Sequence, residues 1–188
     1  AVNVVPLVGH IPLRAAVSGF EGRSLSTSEM ARMSEITRAI LRQGALGIST
    51  GLTYQPVYHS STDELIALGR IASESGALFA FHMRGYGANL LDSLSEVIQV
   101  AKESGSRVQV SHLRTSKTNQ GAVREAVRMI EGAIESGVDI GFDNYPYTAG
   151  ASILSQVLPD RLVEGGVEKA LARLSDSALK AKAISEMD

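Results

Sequence analysis

Two histidines, His82 and His112, each stand just past a short apolar run, Ala77 to Phe81 and Arg107 to Val110. If those runs are neighbouring parallel strands, both imidazoles point into one barrel mouth and can share a metal at zinc–nitrogen bonding distance. A single strand-end histidine more often hydrogen-bonds a nearby loop; a pair in matched phase favours the metal. Arg84 and Arg114 lie two residues beyond their histidines. Either can hold a substrate carboxylate bidentately, or pair with a carboxylate of the protein itself. Asp143 follows a further apolar run and reads either as a carboxylate that orients a histidine or as a cap for its own loop. Tyr54, Tyr145 and Tyr147 would line the same mouth, although tyrosines in a Tyr-Pro-Tyr turn are commonly packing residues. His10 has a weaker case as a ligand, since a Gly-His turn can need it only to satisfy loop carbonyls. His59, beside Ser61, reads as a surface residue at a helix entrance.

Competing chemistries lack their residues. The chain has no cysteine, which excludes a disulfide framework, a thiolate nucleophile and a sulfur-ligated metal. A phosphate-cradling glycine fingerprint, a Gly-x-Ser-x-Gly elbow and paired strand-end carboxylates are all missing, so nucleotide binding, serine hydrolysis and glycosidase chemistry have no support.

The elements that must position these side chains follow a regular rhythm. Strand-length apolar runs recur at Val2 to Val8, Ala45 to Ser49, Ala77 to Phe81, Arg107 to Val110 and Val138 to Phe142. Helical spacing fills the gaps, as in Val123, Ala126, Val127, Ile130, Ala133 and Ile134. Capping boxes at Ser26-Thr27-Ser28-Glu29 and Ser61-Thr62-Asp63-Glu64 place helix starts near Thr27 and Thr62. Gly44, Gly76, Gly105 and Gly137 mark the helix ends as left-handed caps and succeed one another by 32, 29 and 32 residues. A (β/α)8 barrel spends roughly 31 residues on each unit, so the predicted fold is α/β, a single domain over residues 1–188. It comprises about five parallel strand-helix units of an incomplete TIM-type barrel. Beyond Tyr147 the segments Ser152 to Leu158, Val167 to Leu174 and Ser177 to Met187 read as short C-terminal helices.

The chain of 188 residues is 44% hydrophobic and 20% charged with a formal net charge of -2, enough apolar content for a core and no basic footprint for nucleic acid or an anionic membrane. The first eight residues are too short for a membrane span and carry no basic leader, so a cytoplasmic protein with small-molecule partners is the expectation. Two open edges of a partial parallel barrel invite pairing, and a homo-oligomer that covers them is expected.

Several strings, in order, resemble the N-acyl-D-amino-acid deacylases (D-aminoacylases) of the amidohydrolase superfamily. They are Val8-Gly9-His10, Gly44 to Leu52 with Tyr54 and Pro56, Phe81-His82-Met83-Arg84, Val110-Ser111-His112-Leu113-Arg114 and Asp143 to Gly150, with a later stretch from Leu158-Pro159 to Val167. The resemblance implies a zinc-dependent hydrolase that removes the acyl group from N-acyl-D-amino acids, with His82 and His112 as metal ligands. It also implies that Arg114, Tyr54 and Tyr145 help to hold the substrate carboxylate, an N-acyl amino acid being the small-molecule partner. The family's first-strand His-x-His pair, a cysteine ligand and an eighth-strand aspartate have no counterpart here. Tyr86 stands where many members carry an acidic residue, and Ala151 replaces a hydroxyl residue. The expectation is therefore a metal-dependent amidohydrolase-like chain that is inactive in isolation. The alternative is a non-catalytic barrel fragment acting as an oligomeric or binding scaffold.

Overall fold

The computed structural model describes residues 2–116, 119–153 and 158–187. Five strands, β1 (Leu7–Gly9), β2 (Gly47–Gly51), β3 (Leu78–His82), β4 (Arg107–Val110) and β5 (Ile140–Phe142), pair in sequence order and all in parallel. Helices α1 (His10–Ser18) and α2 (Thr27–Arg42) connect the first two strands. Then α3 (Thr62–Glu74), α4 (Leu90–Ser104) and α5 (Val123–Glu135) each form one crossover. The result is an open five-stranded sheet with alternating helices, the partial TIM-type barrel that the spacing of the glycines predicts. No helix among the described residues is long and apolar enough to cross a membrane.

Strand alternation sorts the side chains onto two faces. Ile48, Phe79, Phe81, Val108 and Val110 point to the helices and are buried against a layer that includes Leu65, Leu68, Ile71, Leu94, Val97 and Ala101. Each such aliphatic or aromatic side chain contributes about 1.5–3 kcal/mol by leaving water, which makes this the main stabilising layer. The opposite face is different in kind. Gly9, Ser49, Ala80, Gln109 and Gly141 stand in one register row across all five strands. Small and polar residues there leave open space below the C-terminal ends of the strands, where the candidate site lies.

Local signals translate directly at most boundaries. Helices α2 and α3 begin at Thr27 and Thr62, and Gly44, Gly76, Gly105 and Gly137 all have positive φ, as the turn from a helix back into a strand requires. Ser26 and Glu29 form a reciprocal capping box. The second box is only half made: Ser61 Oγ accepts from Glu64 N, but the Glu64 carboxylate turns inward to His10 and Arg14 instead of returning to the cap. The first strand is also shorter than expected. Val2, Val4 and Val5 are 88%, 80% and 61% exposed, and the ladder begins only at Leu7 opposite Gly47, with Leu46 N donating to Pro6 O at 3.0 Å just ahead of it.

Past β5, α6 (Asp160–Val163), α7 (Val167–Ser175) and α8 (Ser177–Met187) form the C-terminal helices. The first of these is absent from the sequence-based expectation. The segment expected to be helical from Ser152 lies mostly outside the described residues, and its described start at 152–153 is not helical. The turn after α6 returns to the loop between α1 and α2: Gly165 N donates to Phe20 O at 3.1 Å, and Leu162 is fully buried.

Candidate functional site

The ends of β3 and β4 bring His82 and His112 into direct contact. His82 Nδ1 and His112 Nε2 are 2.9 Å apart, and the rings meet edge to face with centroids 4.6 Å apart. The two residues are not at equivalent strand positions, as matched phase suggests. Phe81 pairs with Val110, so the ladder sets His82 level with Ser111, and His112 comes one residue later. Strand alternation would then send its ring to the helix side. Instead His112 has φ of 42°, the one positive-φ residue other than glycine among the described residues, and this left-handed kink swings the imidazole back to His82.

Burial pulls both imidazoles toward the neutral form. His82 is brought down to about 4 by burial, then by the neighbouring His112 and Arg114; His112 is also lowered, chiefly by burial. A neutral imidazole is the form that ligates a metal. His82 Nε2 is 3.0 Å from Thr53 Oγ1, while His112 Nδ1 is buried without a hydrogen-bond partner. No N–H is left unpaired if His112 Nε2–H donates to His82 Nδ1 and His82 Nε2–H donates to Thr53.

Tyr86 builds the floor beneath the pair. Its hydroxyl accepts from Met83 N at 2.9 Å and donates to Ser111 O at 3.2 Å, which ties the ends of β3 and β4 together. The ring centroid lies 5.2 Å from that of His82 and 5.0 Å from that of His112, and the Arg114 guanidinium lies over the ring at 4.9 Å. Burial raises the Tyr86 hydroxyl well above its ordinary range, so it stays protonated as a donor. A carboxylate at this position would place a charge where the phenol now packs.

Arg84 and Arg114 part company. Arg84 binds Glu96 through two 3.0 Å hydrogen bonds and donates to Tyr58 O and Ser60 O, so it is a structural clamp between loop and helix. Arg114 has no hydrogen-bond partner among the described residues and faces the open cleft. That cleft measures about 620 Å³ and is lined by Tyr54, His82, His112, Arg114, Tyr145 and Tyr147, among others. Tyr54 stands 5.3 Å from His82, and Tyr145 and Tyr147 stack at 6.3 Å. Asp143 is at the rim: Oδ1 accepts from the backbone N of His112 at 2.7 Å and Oδ2 from Gln109 Nε2 at 2.9 Å. It touches the histidine's backbone, not its ring.

His10 lies apart from this cleft. It is fully buried, with Nδ1 2.9 Å from Thr50 Oγ1 and Nε2 2.9 Å from Glu64 Oε1, an oxygen that also accepts from Arg14 Nε at 3.0 Å and Ser60 Oγ at 3.1 Å. It begins α1 directly after β1, with no loop between them for its ring to satisfy. His59 is half-buried and contacts Gln55 at 3.2 Å. Thr53 is a site residue with no sequence signal of its own, a threonine in a strand-end loop, and Tyr86 stands out in the sequence only as a departure from the family's acidic residue, not as a floor for the histidines.

No family model matches the chain. A D-aminoacylase from Alcaligenes xylosoxydans xylosoxydans is 36% identical over 167 residues, covering 88% of this chain and 34% of that protein. Among solved structures, a D-aminoacylase described as defining a novel subset of amidohydrolases superposes with a TM-score of 0.76 at 38% identity, over 80% of this chain and 32% of that one. The N-acyl-D-glutamate deacylase of Bordetella bronchiseptica, complexed with zinc and a phosphonate mimic of the tetrahedral intermediate, superposes with a TM-score of 0.75 at 33% identity, over 78% of this chain and 31% of that one. The chain thus spans about a third of the length of the relatives it matches, and over that third, in sequence and in fold alike, it belongs to the D-aminoacylase family of amidohydrolases.

Proposed function

We propose that this chain forms the two-histidine side and the carboxylate-binding side of a metal-dependent N-acyl-D-amino-acid deacylase site, one that hydrolyses a linear amide C–N bond. The observation that carries the reading is the pair of neutral imidazoles whose facing nitrogens lie 2.9 Å apart at the mouth of a cleft that also presents Arg114, Tyr54 and Tyr145. Two ligands of a tetrahedral zinc are separated by roughly 3.3 Å, so the facing nitrogens of His82 and His112 would open by a few tenths of an ångström, with the His112 proton passing from Nε2 to Nδ1 and both lone pairs turned to the ion. Zinc there would polarise the scissile carbonyl and activate a water molecule. Arg114 sits beside the pair, its guanidinium over the Tyr86 ring with no hydrogen-bond partner among the described residues, suited to a substrate carboxylate in two-pronged contact, and Tyr54 and Tyr145 line the same cleft.

The site is incomplete within these residues. No group of three histidine, aspartate or glutamate side chains that could hold a metal exists among the described residues, whereas a zinc enzyme uses three protein ligands. In the isolated 188-residue chain we therefore expect zinc uptake by elemental analysis, with no release of free amino acid from N-acetyl-D-amino acids. Turnover by this chain alone would overturn the incompleteness; no zinc uptake would sink the site.

A second reading, an oligomeric scaffold, draws on the exposed sheet edges. Leu7 on β1 and Phe142 on β5 are 39% and 45% exposed at edges that offer unpaired backbone groups. Sedimentation is expected to show self-association that strengthens with concentration, and a single monomeric species throughout would count against it.

A further inference from the structure

We propose that Asp143, braced by Gln109 in the space that Gly141 leaves open, is a positioning residue that holds His112 in its left-handed backbone conformation and so brings its ring to His82. The inference rests on the metal reading for one of its two readouts only.

The argument starts from register. A strand that simply continued past Val110 would turn His112 away from His82, because neighbouring residues on a strand point to opposite faces. The kink at φ of 42° corrects the face, but a residue with a side chain adopts that conformation only when its surroundings hold it there. Asp143 supplies the hold. Its own backbone is fixed on both sides, with Asp143 N donating to Val110 O at 3.0 Å and Leu113 N donating to Asp143 O at 2.8 Å, so residues 110 to 113 wrap around it. Its Oδ1 takes the His112 N–H at 2.7 Å, a short bond to a charged acceptor.

The second oxygen explains why the carboxylate faces that way. Gln109 Nε2 donates to Oδ2 at 2.9 Å from one strand over. Gln109 and Gly141 are register partners, and a Cβ added at Gly141 would stand 3.1 Å from Gln109 Oε1, tighter than ordinary contact. A bare glycine lets the glutamine lie across β5 and reach Asp143. The row of small residues on this face thus has a mechanical use: it carries a glutamine, which carries an aspartate, which sets a histidine.

The test compares Asp143→Ala, Asp143→Asn and Gln109→Ala in the full chain, with two measurements. Zinc affinity is read by competition with a chromophoric chelator, and the His112 backbone by its 13Cα and 13Cβ shifts without metal. Asp143→Ala is expected to weaken zinc binding by about 10–100-fold, the usual effect of losing a group that orients a ligand, and to move the His112 shifts from left-handed toward extended values. Asp143→Asn keeps an oxygen for the His112 N–H and should remain near the parent in both. Gln109→Ala should fall between them, and it keeps the test sound if Asp143→Ala does not fold. Unchanged His112 shifts in Asp143→Ala, or an Asp143→Asn variant as impaired as Asp143→Ala, would overturn the proposal. If the parent chain takes up no zinc, the metal reading fails, and the shifts alone decide whether Asp143 sets His112.

Discussion

Replacing His82 and His112 together by alanine is expected to abolish zinc binding, and either single replacement to weaken it by at least about 100-fold. The expectation follows from their contact: each nitrogen faces the other across 2.9 Å, so neither can be replaced by a neighbour without rebuilding a strand end. Loss of one of so few protein ligands removes a large part of the binding energy of a site that has no spare donor among the described residues. Isothermal titration with zinc, and the visible spectrum of the cobalt form, measure the effect. Thr53→Val is the informative companion. It removes the hydroxyl at His82 Nε2 without touching the facing nitrogens, and should weaken binding far less than the histidine variants. Undiminished zinc affinity in the double alanine variant would show that the metal binds elsewhere.

The second large effect lies in the buried cluster under α1. Arg14→Met is expected to destabilise the fold by about 3–5 kcal/mol, because it leaves the Glu64 carboxylate in the interior without its guanidinium, with only His10 and Ser60 as side-chain partners. Arg14 and Glu64 are 0% and 2% exposed, and the guanidinium also donates to the carbonyls of Pro56 and Arg23, so the loss removes a donor from each of these two acceptors as well. Replacing Arg14 and Glu64 together by apolar residues of similar volume should cost much less, since no charge is then left alone. Chemical denaturation of the two variants separates these cases.

The same cluster sets a direction for acid sensitivity. Burial holds His10 below its ordinary value, against the pull of Glu64, so the unfolded chain takes up a proton below about pH 6.5 that the folded chain refuses. Its contribution is complete above that pH and is lost as pH falls toward the folded value. Burial alone would raise the Glu64 carboxyl, but His10, Arg14 and Ser60 outweigh it and hold it below its usual range. Its contribution is present above about pH 4.5 and disappears at still lower pH. Unfolding free energy should therefore decline from neutral pH downward, and His10→Gln should flatten the upper part of that decline. A flat profile between pH 7 and 5 in the parent protein would exclude the assigned role of His10.

Some of this architecture can be read from local sequence, for a definite physical reason. Helix starts at Thr27 and Thr62 and the reversals at Gly44, Gly76, Gly105 and Gly137 are decided within four or five residues, by hydroxyls that accept first-turn N–H groups and by backbone that needs positive φ. The five-unit rhythm and the identity of the two histidines at adjacent strand ends follow from the same short-range signals. The conformation of His112 does not, because its kink depends on an aspartate and a glutamine from strands that are distant in the chain. Nor does the fate of Glu64, which satisfies a cap pattern locally but is drawn inward by His10 and Arg14, residues that reach it only once α1 and the start of α3 are brought together. Arg84 and Arg114 occupy the same place in their motifs, and one faces Glu96 while the other faces the cleft. Composition and spacing thus establish which residues stand at the strand ends. Which of them meet, and which are spent on holding the others, is settled by contacts between distant parts of the chain, whose energies exist only after the sheet has formed.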